Sequence, residues 1–177
     1  MSSPRAVIVT GGGTGIGAAV ARLLSVGGDR VAIFGRRPEP LSAVALDTGA
    51  LDVVCDVSDA GQVAAAVASV ADRFGGLDGL VLNAGVMRPG GIAELPAADW
   101  DALVAVNLTG AFHTARAALP HLLAARGTVA AVVAWLLSDA ASYVNGAVIP
   151  VDGAAAAVDV GTLPFDPRVE VRRQDGS

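Results

Sequence analysis

Residues 10–17 read Thr-Gly-Gly-Gly-Thr-Gly-Ile-Gly, directly after the apolar run that starts at Ala6 and directly before a helix-forming stretch. Glycines in that setting allow a tight turn and a close backbone approach. A helix start adds unpaired N–H groups and a partial positive charge, which together suit a pyrophosphate. The turn nominates Gly11, Thr14, Gly15, Ile16 and Gly17 as a phosphate-binding segment. Arg36 and Arg37 follow the next apolar run and can fork onto a phosphate through charge-assisted hydrogen bonds. Against these stands an omission: all 12 basic residues are arginines, so the chain contains no lysine. Chemistry that needs an ε-ammonium, or a tyrosine whose pKa such a group lowers, is therefore missing from these 177 residues.

The elements that must position these groups alternate between short apolar runs and longer helical patterns, the order expected of a parallel sheet with crossover helices. Strands are expected at 6–10, 31–34, 51–55 and 77–82, with helices at 16–26, around 41–46, and from 60 to Gly75-Gly76. Gly27-Gly28 should stop the first helix, and Asp59 with Gln62 resembles a capping box opening the third. Two further helical segments meet near Asn107 and run to 125, with Pro120 expected to kink the second. Beyond Gly127 the alternation fails. Residues 128–129 could begin a fifth strand, 130–137 reads equally well as a buried helix, and 147–151 reads as a last strand. The expectation is a single doubly wound α/β domain over 1–153, with the fifth and sixth strand region disrupted, followed by an irregular tail over 154–177.

The spacing Gly-x-x-x-Gly-x-Gly, together with Asp56, the Asn83-Ala84-Gly85 turn and Asn107, resembles the short-chain dehydrogenase/reductase family. The resemblance implies a Rossmann-like fold and an alcohol or carbonyl oxidoreductase using a nicotinamide dinucleotide. It implies that Asp56 and Val57 border the adenine and that Asn83, Ala84 and Gly85 lie beside the cofactor. Asp56 reads equally as a structural cap on the following helix. An arginine near the end of the second strand suits a 2′-phosphate, where an acidic residue would suit free ribose hydroxyls. Arg36 and Arg37 thus favour NADP(H), with NAD(H) still open.

The family's catalytic set is a serine, a tyrosine with a lysine four residues on, and an asparagine. Only the asparagine has a counterpart, Asn107. The sole tyrosine is Tyr143, followed four residues later by Ala147, and its surroundings resemble the family's segment between the last helix and last strand. The resemblance covers 6–128 and about 130–153. It implies an internal deletion near 128–130 that removes the catalytic block and the substrate-covering loop. The outcome is a relative that keeps the cofactor half-site with little or no turnover. Alternatives are a regulatory protein that pairs with an intact relative, as a homo- or hetero-oligomer through the helices around 97–125, or a non-functional deletion product.

Other chemistry finds less support. His113 and His121 lie eight apart with no third ligand spaced to join them, so no metal site is expected. Ser138 and Ser142 have no identifiable histidine partner. Cys55 is the single cysteine and reads as a buried, unreactive thiol. A net charge of −5 offers no basic patch for nucleic acid. No apolar run approaches the roughly 18 residues of a membrane span, and the first strand starts without an export signal ahead of it, so a soluble cytoplasmic protein is expected.

Overall fold

The computed structural model describes residues 4–91 and 93–124. The chain divides by its internal contacts into two units, Met1–Arg126 and Gly127–Ser177, and the described residues belong to the first. The expectations for the fifth strand, the junction near 128–130, Ser138, Ser142, Tyr143 and the 154–177 tail lie outside the described residues.

Four parallel strands form one sheet: β1 (Ala6–Thr10), β2 (Arg30–Gly35), β3 (Leu51–Val54) and β4 (Gly79–Val81), in the order β3-β2-β1-β4. Ile8 is the centre of the register, opposite Ala32 of β2 and Leu80 of β4. All five residues of β1 are buried because the sheet is covered on both faces. Ala6 and Ile8 face the layer of α3 (Ala60–Phe74), where they meet Val63, Val67 and Val70, with Ala118 of α5 (Gly110–Ala124) in the same cluster. Val7 and Val9 face Ala18 and Ala21 of α1 (Gly15–Val26) and Leu41 and Val44 of α2 (Pro38–Thr48). Two-sided burial is why the strand reads as an unbroken apolar run rather than an alternating one.

Helix boundaries follow local chemistry. α1 ends at Gly27-Gly28, and of the two it is Gly28, at φ 87°, that takes the left-handed conformation. Asp59 caps α3, its carboxylate accepting from the N–H groups of Gly61 at 2.8 Å and Gln62 at 3.0 Å. The reciprocal half of the expected capping box is redirected. The Asp59 N–H already donates to the Asp56 carbonyl at 3.0 Å, so the Gln62 side chain reaches back to the Asp56 N–H, at 3.1 Å. After β4 come α4 (Ala97–Val104), a π-helical turn over Ala105–Thr109 that contains Asn107, and α5, with Pro120 inside it.

The strand order reverses between β1 and β4, which opens a crevice at their C-terminal ends, the usual ligand position in such sheets. No helix among the described residues is long and apolar enough to cross a membrane. Phe34, fully buried on β2, supports the sheet at this end. Phe34→Ala should lower unfolding free energy by about 3–5 kcal/mol. Leu46→Ala, at a position 89% exposed, should stay within about 0.5 kcal/mol in the same urea titration.

Candidate functional site

The glycine turn is shaped by what a side chain would strike. A Cβ at Gly17 would lie 2.3 Å from the Gly11 carbonyl oxygen, and one at Gly11 would lie 2.9 Å from the Ala84 Cα. Gly11 (φ 67°) and Gly15 (φ 56°) also hold left-handed conformations that other residues seldom adopt. Beneath the turn, Thr10 is almost wholly buried and joins β1 to β4. Its Oγ1 donates to the Val81 carbonyl at 3.3 Å and accepts from the N–H groups of Asn83 and Ala84, each at 3.0 Å. The Asn83 side-chain amide donates to the carbonyls of Thr10 (3.1 Å) and Gly11 (3.3 Å). Thr14 stands in extended conformation as the N-cap of α1, but its side chain makes no capping hydrogen bond. The first helical bond runs from Ala18 N–H to the Thr14 carbonyl, so the N–H groups of Gly15, Ile16 and Gly17 lie ahead of the ladder.

The second wall is the end of β2. Arg36 Nη1 lies 3.9 Å from Asp56 Oδ2, whereas Arg37, the N-cap residue of α2, has no acidic partner among the described residues. Pro38 and Pro40 carry no N–H, so the first turn of α2 offers few backbone donors and an anion there must be held by arginine side chains. Burial works against the Asp56 charge, but hydrogen bonds from the Ser58 hydroxyl (2.7 Å) and N–H (3.0 Å), with Arg36 nearby, outweigh it and hold the carboxyl below its usual range. Asp56 is thus a carboxylate that organises the turn after β3, while Asp59 caps the helix.

The third wall is the loop after β4, fixed by Asn107. The Asn107 carboxamide oxygen accepts from the Val86 N–H and its nitrogen donates to the Val86 carbonyl, both at 2.8 Å. The side chain pairs with one residue's backbone as a neighbouring strand would. Both ends of the amide are occupied, and Asn107 acts as a clamp on the loop.

A cleft of about 320 Å³ opens between these walls. From the glycine turn Gly11, Thr14 and Ile16 reach it, from β2 Arg36 and Arg37, from β3 Val57, and from β4 Asn83, Ala84 and Gly85. The other nominated residues, Gly15, Gly17, Asp56 and Asn107, stand behind its surface and shape the turn, Arg36 and the loop. Sequence reasoning missed Gly13, Leu41, Cys55 and Val86, which also line it. Gly13 carried a legible signal as the third glycine of the run; a Cβ there would lie 3.2 Å from Pro40. His113 packs its ring Nδ1 3.3 Å from the Val57 carbonyl, and no cluster suited to a metal ion occurs among the described residues. The ionisable side chains on the cleft wall are the two arginines and Cys55, whose thiol burial pushes up to about 11, with help from Asp56 and Asp59. The described wall therefore presents two guanidinium groups and apolar surface but carries no group that exchanges protons near neutral pH.

Two outcomes follow. Asn107→Ala should speed amide exchange at Val86 and its neighbours by at least tenfold, and Asn107→Asp, which can accept but not donate, should do nearly the same in hydrogen-exchange mass spectrometry. The Cys55 thiol should be inert to a disulfide reagent at pH 8 in the folded chain and react at once in denaturant. Because the folded thiol keeps its proton beyond the pH of about 8.5 at which an unfolded one loses it, stability should fall as pH rises from there toward 11.

Comparison with known proteins gives a consistent picture. A family model described as short chain dehydrogenase matches residues 5–146. The chain is similar to a D-beta-hydroxybutyrate dehydrogenase of Rhizobium meliloti, 37% identical over 125 residues, covering 67% of this chain and 48% of the relative. It is also similar to a D-threitol dehydrogenase of Mycolicibacterium smegmatis, 38% identical over 128 residues, covering 70% and 49%. Among solved structures it matches a short chain dehydrogenase from Burkholderia cenocepacia in complex with NADP, with a TM-score of 0.62 at 39% identity, covering 67% of this chain and 51% of the other. It matches the ligand-free aldohexose dehydrogenase of Thermoplasma acidophilum with a TM-score of 0.64 at 28% identity, covering 70% and 46%. The chain spans about half the length of these relatives.

Proposed function

The chain belongs to the short-chain dehydrogenase family, and from that premise we propose that it is a nicotinamide dinucleotide-binding relative of the family's oxidoreductases that prefers NADP(H) to NAD(H). The observation that carries the reading is the convergence of the glycine turn, Arg36, Arg37 and the Asn83–Gly85 loop on one cleft. The cradle fits the group: the closeness of Gly11, Gly17 and Ala84 leaves room for backbone and none for side chains. The N–H groups at the start of α1 would hold the pyrophosphate. Arg36 and Arg37 would hold a 2′-phosphate, Asp56 and Val57 would border the base, and Asn83, Ala84 and Gly85 would line the path toward the nicotinamide.

When bound, a nicotinamide dinucleotide supplies hydride chemistry. This chain's own residues bind and orient; the proton of the reacting hydroxyl has no evident carrier. There is no lysine, Tyr143 is followed by Ala147 at the family's lysine spacing, and the Asn107 amide is engaged with Val86. Loss of a positioned general acid removes about 10²–10⁴-fold of rate. The reading is a cofactor-binding member with impaired or no alcohol/carbonyl turnover, in a cytoplasmic setting where a lone cysteine stays reduced.

A second reading, a regulatory protein that pairs with an intact relative, draws on a separate observation. Trp100, Leu108 and Phe112 on α4, the π-helical turn and α5 are each more than half exposed, and α4 buries no residue. Large exposed apolar side chains along these helical segments suit a helix-mediated contact.

Calorimetric titration tests the first reading. NADPH should bind saturably and at least tenfold tighter than NADH, and Arg36→Ala/Arg37→Ala should erase that difference while leaving NADH affinity within about threefold. Reduction of simple aldehydes or ketones by the NADPH-saturated chain should be at least 100-fold slower than by an intact family member. Turnover at a normal rate would overturn the claim of lost activity.

A further inference from the structure

We propose that His113 is a positioning residue for the nucleotide: from α5, behind the cleft wall, its ring N–H holds the Val57 carbonyl and so sets the apolar surface against which the base lies. This rests on the dinucleotide reading above and adds to it a side chain that acts through another residue.

The turn after β3 is held from two directions. Asp56 is held from within, by the Ser58 hydroxyl and N–H on its carboxylate and by the Gln62 side chain on its own N–H. Val57, the next residue, is held from α5. Its carbonyl lies 3.3 Å from His113 Nδ1, and since a carbonyl only accepts, Nδ1 carries a proton and donates it. The Val57 side chain also presses on the first residue of α5: a Cβ at Gly110 would stand 2.7 Å from Val57 Cγ2. One polar and one steric contact thus fix Val57 against a single helical turn. Val57 is buried and yet reaches the cleft wall, so a small shift of its backbone is enough to advance or withdraw the surface it offers.

The start of α5 is a firm base for this hold. Thr114, fully buried, donates its hydroxyl to the Gly110 carbonyl at 2.8 Å, and Ala118 shares a core cluster with Val57, Val63 and Val67. Asn107, Gly110 and His113 recur at every third residue. The face that meets Val57 therefore continues into the Asn107 clamp on Val86, and one helical segment holds both the turn after β3 and the loop after β4.

Calorimetry and thermal melting of three full-length chains provide the test: the parent, His113→Leu, which keeps bulk without a donor, and His113→Asn, whose amide N–H can stand where Nδ1 stood. His113→Leu should weaken NADPH by about 3–10-fold, the range of one hydrogen bond, and weaken NADH by the same factor, because Arg36 and Arg37 are untouched. His113→Asn should bring both back to within about twofold of the parent, with the three melting temperatures within about 3 °C. Unchanged NADPH affinity in His113→Leu would overturn the proposal and leave the dinucleotide reading standing. Equal losses in His113→Leu and His113→Asn would do the same, since the donor would then not matter. A changed ratio of NADPH to NADH affinity would also overturn it, by moving the effect from Val57 to the arginines. Nitrogen-15 spectra of the labelled parent at pH 8 give a reading that needs no variant: His113 should carry its proton on Nδ1, and a proton on Nε2 alone would sink the hydrogen bond. No binding of either dinucleotide by the folded parent would overturn this proposal and the reading beneath it together.

Discussion

Everything at the candidate site depends on a near-contact between backbones. The first turn of α1 sits so close to the end of β1 that a single methyl at Gly17 would overlap the Gly11 carbonyl. That closeness lets Asn83 reach both the Thr10 and Gly11 carbonyls from β4, and lets Thr10 hold the N–H groups of Asn83 and Ala84. Three chain segments are thereby fixed to one another by hydrogen bonds of the protein alone. The turn's outward N–H groups are left in a defined array because its inward side is fully committed. Preorganisation of this kind reduces the ordering that a ligand must impose on binding.

Around that knot the charges are arranged locally and not by the protein's overall sign. A chain of net charge −5 presents two adjacent arginines at one strand end, with one of them partly neutralised by Asp56. A uniformly basic surface would hold many polyanions. Here two guanidinium groups stand together on the rim of one glycine-lined cleft, an arrangement whose geometry suits a small phosphorylated ligand better than a polyanion. Burial in the same wall also keeps the Cys55 thiol protonated, its pKa pushed up to about 11.

The parts legible in the sequence are those governed by short-range rules. The fully buried β1 showed itself as an apolar run, the stops at Gly28 and Gly75 as glycines after helical patterns, and the cap at Asp59 as a side chain three residues ahead of Gln62. Nine of the residues nominated for the cofactor lie together on the cleft wall. What escaped the reading arises across distance. The Asn107 clamp joins a side chain to a backbone 21 residues away, and nothing in the identity of Val86 announces it. Gln62 follows the capping-box spacing yet bonds Asp56, because the Asp59 N–H was already taken by the preceding turn. The π-helical turn around Asn107 likewise has no composition of its own.

The sheet order has a temporal meaning as well. β1 is the first strand to be synthesised, yet its C-terminal end is completed by hydrogen bonds from Asn83, 73 residues later, and the loop beyond β4 is clamped only once Asn107 exists. At roughly 5–20 residues per second of synthesis, the glycine turn waits about 4–15 s for its partner. During that interval β1 has β2 on one side and an unpaired row of N–H and C=O groups on the other. A nascent chain of this topology is therefore exposed at the centre of its sheet, not at its margin, until the fourth strand emerges from the ribosome.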